Sequence, residues 1–293
     1  MNNYKIGTVI SLAIAFVAYP TGVLYAKKPH HSAPQPSGNT AASNPQDPGG
    51  HSARGVEAAK QKDYEKAIAE FSKAIEAEPG DAKNYFNRGT AYRGAGKLNE
   101  ALADFTKAIE MTPQDIAPYV GRGEVLLAQK QPDKALADFD KALQITPNDP
   151  NARRFRGFLF ISKSEWQKAI EDYSVVIQRV PNDGDAYERR AFAYRSLKKY
   201  KEAIADYTKS IATDPKDPDG YRHRAVAHTL AGDTKSAAAD LRALLKIKPD
   251  DADAQSRLKA LETRANPPSP APTGATPVPA ASPAAIRPGA SPH

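Results

Sequence analysis

None of the residues able to do chemistry in this 293-residue chain stands alone. Carboxylates recur at Glu70, Asp104, Asp138, Asp172, Asp206 and Asp240, each 34 residues from the last, and arginines keep the same step at Arg54, Arg88, Arg122, Arg156, Arg190 and Arg224. A residue type repeated at a fixed interval reads as structure, whereas a general acid or base is needed once. Each guanidinium is therefore expected to reach a carboxylate of its own or a neighbouring unit. An exposed pair of this kind contributes only about 0–1 kcal/mol, so its role would be register. His223 and His228 are five apart, which turns them about 140° from one another on a helix and keeps them from holding one ion. His30 and His31 are adjacent but lack a third ligand. The chain has no cysteine, which excludes disulfides, thiolate metal sites and thiol nucleophiles. Residues 48 to 264 hold no nucleophile elbow, Gly-rich phosphate loop, HExxH motif or calcium loop. The expectation is a protein that is not an enzyme, with no cofactor and no metal.

The elements that carry these columns are set by a ruler of prolines. Pro79, Pro113, Pro147, Pro181, Pro215 and Pro249 are also 34 residues apart, and a fixed period of that length means stacked helix pairs. With proline as position 32, six repeats run 48–81, 82–115, 116–149, 150–183, 184–217 and 218–251. Position 8 is Gly55, Gly89, Gly123, Gly157, Ala191 and Ala225; position 20 is alanine throughout, from Ala67 to Ala237. Two helices approach closely only where contact residues are small, so these columns mark the crossing of a first helix with a second. Position 24 supplies the large partner, Phe71, Phe105, Phe139, Tyr173, Tyr207 and Leu241, and position 28 continues the apolar stripe one turn on. The predicted fold is all-α, an α-solenoid of six helix-turn-helix repeats.

These columns resemble the tetratricopeptide repeat (TPR), with its Gly or Ala at 8, Tyr or Phe at 11, Ala at 20, aromatic at 24, Ala at 27 and Pro at 32. Stretches such as 85–92 (YFNRGTAY) and 101–109 (ALADFTKAI) carry several of these positions together. Departures fall in the end repeats, with Ala58 and His228 at position 11, Leu241 at 24 and Leu244 at 27, and terminal repeats of such arrays are atypical. Residues 252 to 264 add a thirteenth helix with a narrow face of Ala254, Leu258 and Leu261, expected to cap the array.

The formal charge is +7, but residues 51 to 264 keep 37 of the 41 basic and 33 of the 34 acidic residues, interleaved along the helices. That is a solvated face more than a phosphate-tracking stripe. Residues 1 to 26 read as an export signal, with Lys5, an apolar run over 6–19 and Ala26 before the cut. An uncleaved anchor competes, because 6–26 is 21 residues long. Segments 27–47 and 265–293 are rich in Pro, Ala, Ser and Gly and are expected to be disordered. The chain reads as a bacterial envelope protein, periplasmic or secreted after cleavage, or tethered to the inner membrane.

The resemblance implies that positions 2, 5, 6, 9, 12 and 13 of the first helices face a concave groove. On that basis Phe155, Phe158 and Ile161 fall where burial in the solenoid should not require them. Phe192 joins this strip, and Arg154, Arg189, Arg195 and Arg222 rim it. An apolar strip with an arginine rim suits a protein or peptide segment carrying aliphatic or aromatic anchors and carboxylates. The clamp that holds heat-shock chaperone C-termini is rejected, since Ser52, Val56, Asn87, Ala117 and Gly121 match its pattern once, and the next frame also matches once. The expected function is a non-catalytic scaffold or adaptor. Two alternatives are polyanion or nucleic-acid binding through the groove arginines, and a substrate-presenting subunit of an enzyme complex.

Overall fold

The structure is a computed structural model that describes residues 49 to 265. The export signal, the linker and nearly all of the expected tail lie outside the described residues. Ala265, placed in that tail by the sequence, instead ends the last helix. Thirteen helices and no strand are found among the described residues, the number the repeat count predicts. The chain divides into two units, Met1–Asp214 and Pro215–His293.

The first unit holds ten helices in five hairpins: α1(His51–Lys60) and α2(Tyr64–Ala77), α3(Ala82–Gly94) and α4(Leu98–Met111), α5(Ile116–Ala128) and α6(Pro132–Ile145), α7(Pro150–Ser162) and α8(Trp166–Arg179), α9(Gly184–Ser196) and α10(Tyr200–Thr213). Each helix packs on the next in sequence, and first helices also meet one another, α1 with α3, α3 with α5, α5 with α7 and α7 with α9. The odd-numbered helices therefore form the inner layer of this unit. The second unit holds α11(Pro218–Leu230), α12(Thr234–Ile247) and α13(Ala252–Ala265), packed in that order around Leu241, Leu244 and Leu261.

Small residues hold each hairpin together. A Cβ placed on Gly123 would stand 2.6 Å from Cε1 of Phe139, a ring with no exposed surface, so the glycine is what lets α5 lie against α6. The hairpin turn is equally regular. After every first helix the chain enters the left-handed region at Lys62, Gly96, Lys130, Ser164, Lys198 and Gly232. The next N–H reaches back to the carbonyl of position 11, as from Asp63 to Ala58 and from Gln131 to Leu126, which satisfies a carbonyl left open at the helix end.

Between hairpins the stop and the start are adjacent. Position 34 is aspartate in all six repeats, and Asp81, Asp115, Asp149, Asp183, Asp217 and Asp251 each accept a backbone N–H from the first turn of the following helix. Position 4 reaches back to the proline carbonyl two residues before that cap: Tyr119 to Pro113, Arg153 to Pro147, Tyr221 to Pro215.

The arginine column does what the sequence predicts. Arg88, Arg122, Arg156, Arg190 and Arg224 meet Asp104, Asp138, Asp172, Asp206 and Asp240 at 2.7 to 2.8 Å, and Arg54 meets Glu70 at 2.8 Å, always within one hairpin. Their second contact supplies register. Arg88 Nη1 donates to Ser72, Arg122 to Thr106, Arg156 to Asp140 and Arg190 to Ser174, all on the second helix of the preceding hairpin. One guanidinium thus bridges two bricks of the stack.

Candidate functional site

The inner layer of the first unit is where a partner could lie, and its side chains divide into two regions. The first is a cleft of about 100 Å³ over α3 and α5, reaching the start of α7. Phe86, Thr90 and Arg93 supply one wall, and Ala117, Val120 and Gly121 the other. Gly121 matters because a Cβ there would stand 2.8 Å from Cζ of Phe105, so a larger residue would push α5 off that ring. Arg93 makes an ion pair with Glu124 on the neighbouring first helix. The other Glu124 oxygen, Oε1, is buried and accepts no hydrogen bond.

The second region is the aromatic and arginine strip of α7 and α9. Here the structure gives two of the expected groove residues packing partners in the solenoid. Phe155 is half-buried and packs against the core, stacked on Phe139 with centroids 5.4 Å apart and planes 10° from parallel. Ile161 packs against the cluster of Phe160, Ile170 and Tyr173. The stacked array does use both, because position 6 and position 12 lean on the second helix of a hairpin as well as facing inward. Phe158 and Phe192 are half-buried. The Arg189 guanidinium lies 5.6 Å from the Phe158 ring centre, and Arg195 lies 5.0 Å from that of Phe192. Trp166 and Phe192 meet edge to face, with ring centroids 5.8 Å apart.

The rim arginines differ in what they hold. Arg154 pairs with Asp183 at 2.5 Å, and Arg189 with Asp185 at 2.8 Å. Arg222, in the second unit, pairs with Asp251 at 2.9 Å and holds that carboxyl well below the ordinary carboxylate range, helped by the Ala254 N–H. Arg154 and Arg222 both stand at position 5 and both grip the aspartate that caps the next first helix, so they belong to the joint between bricks.

The cleft over α3 and α5 is absent from the sequence expectations. Its one signal is Gly121, the residue without a side chain in the position-6 column of Ala53, Asn87, Phe155, Arg189 and His223. Among the described residues no cluster of three or more His, Cys, Asp and Glu side chains could hold a metal ion, and no helix is long and apolar enough to cross a membrane.

Family profiles of the tetratricopeptide repeat match residues 48–81, 86–150 and 184–217. Those stretches are tetratricopeptide repeats. Solved structures agree on the fold. YrrB, described as a TPR protein with an unusual peptide-binding site, is 23% identical with a TM-score of 0.59, over 64% of this chain and 97% of that one. The C-terminal part of a TPR repeat-containing protein from Cytophaga hutchinsonii is 21% identical with a TM-score of 0.59, over 72% and 84%. MamA from Desulfovibrio magneticus RS-1 is 22% identical with a TM-score of 0.55, over 58% and 97%. No curated protein matches the chain by sequence. At these identities the likeness is one of fold, and the TPR side chains described above are this chain's own.

Proposed function

We propose that this TPR chain is a non-catalytic scaffold that binds an extended protein segment along the inner layer of its first unit, in the bacterial cell envelope. The observation that carries the reading is the cleft over α3 and α5, an apolar depression made by first-helix side chains. A space of about 100 Å³ accepts one aliphatic side chain of a ligand strand, and such pockets give specificity while the groove gives area. YrrB, a protein of the same fold, is described as having a peptide-binding site, which favours the same use here. The envelope location rests on the apolar run over 6–19 and its small-residue boundary at Ala26.

Polyanion binding is disfavoured because most guanidiniums of α7 and α9 are bound to carboxylates of the chain. An assembly in which the scaffold presents a substrate to a catalytic partner uses the same groove. A photoreactive residue at Thr90, and another at Phe158, tests the proposal in cells. Both should capture a polypeptide, Ala117→Phe should abolish capture at Thr90, and the same probe at exposed Lys107 on α4 should capture nothing. Equal capture from Lys107 would contradict a groove.

A further inference from the structure

Five of the six arginines on α7 and α9 are bound to carboxylates of the chain: Arg153 and Arg156 to Asp172, Arg154 to Asp183, Arg189 to Asp185 and Arg190 to Asp206. Arg195 has no carboxylate among the described residues. It is half-buried, and its guanidinium is fixed above Phe192 at 5.0 Å, while Trp166 meets the same ring edge to face with centroids 5.8 Å apart. A guanidinium restrained by a ring but left without an acid has little freedom to lose on binding one, and its fork of N–H donors matches a carboxylate. Nearer the cleft, Arg93 of α3 is already paired with Glu124 of α5.

We infer that the segment bound in the groove carries a carboxylate, an Asp, a Glu or its own C-terminus, and that Arg195 holds it. This rests on the groove reading and adds the ligand's charge to it. The arrangement also gives the ligand a polarity. Its aliphatic side chain enters the cleft over α3 and α5, and its acid lies toward α9.

The test selects phage-displayed random dodecapeptides on the full chain, then titrates one recovered peptide in synthetic form. Trp166 is the only tryptophan of the chain and reports binding beside Phe192 by its fluorescence. The recovered peptides should be enriched in Asp and Glu. Replacing the acid of the synthetic peptide by its amide should weaken binding to wild type about tenfold, the usual size of one charge-assisted hydrogen-bonded contact. The same change should have no effect on Arg195→Gln, while Arg195→Lys should keep the preference for the acid. Because Arg195 pairs with no acid among the described residues, the melting curve of Arg195→Gln should match wild type. Peptides that bind without acidic enrichment, or that bind Arg195→Gln as well as wild type, would overturn the inference and leave the groove standing. Failure to recover any peptide would overturn the groove reading as well. Competition by an oligothymidylate with steep salt dependence would assign Arg195 to phosphate instead.

Discussion

At the scale of the residue, Arg122 shows how a repeated ion pair acts. Its guanidinium makes two bonds to the buried Asp138 and one to Thr106 of the preceding hairpin. Removing it strands a carboxylate, and the half-exposed site tempers the cost that a fully buried pair would show. Arg122→Ala should lose about 2 kcal/mol in urea unfolding, and Arg122→Met with Asp138→Leu should recover most of it. Glu70 makes the corresponding pair at the end of the array. Its carboxyl is held at about 2, first by the hydrogen bond with His51 and then by Arg54 and Lys73. An acid whose folded pKa is depressed contributes stability above its unfolded pKa and loses it as pH falls through the folded one. The first hairpin should therefore weaken between about pH 4.5 and about 2, and Glu70→Gln should remove that part of the acid transition as read by hydrogen exchange of α1 and α2.

At the scale of the element, the small columns decide where helices cross, and they are legible because only Gly and Ala fit them. Gly123→Ala should cost about 1–3 kcal/mol, since the new methyl meets the immobile Phe139 ring. The hairpin turn is harder to read. A left-handed residue is usually announced by glycine, yet here only Gly96 and Gly232 say so, while Lys62, Lys130, Ser164 and Lys198 hold the same backbone. Each non-glycine there costs about 1–2 kcal/mol of local strain, partly offset by glycine's greater loss of freedom on folding. Lys130→Gly should accordingly stabilise the fold by about 0.5–1 kcal/mol, seen as a higher urea midpoint with the slope of the transition unchanged. The aspartate at position 34 is equally visible as a column, but its role as a cap shows only where a helix begins. Phe155 packs more closely than the sequence suggests, for a geometric reason. A position that faces inward on an isolated helix also faces the second helix once the bricks are stacked, and its ring stacks on Phe139.

At the scale of the whole molecule, the six-fold spacing makes the solenoid readable from the order of residues alone. A stack of this kind has stability that is a sum over hairpins and their interfaces, so the outer helices of the first unit should exchange amide hydrogens faster than α5 to α8. The proposed function is less legible, because it rests on where the repeats differ from one another, at Gly121, Phe158 and Arg195, and a single sequence shows those differences without showing which of them face open space.

The central claim is that the inner layer grips another polypeptide. Hydrogen exchange of the full chain, with and without a peptide recovered by selection, tests it most directly. The account predicts new protection on α3, α5, α7 and α9, with the outer faces of α2, α4, α6 and α8 unchanged. Protection confined to the even-numbered helices would contradict it.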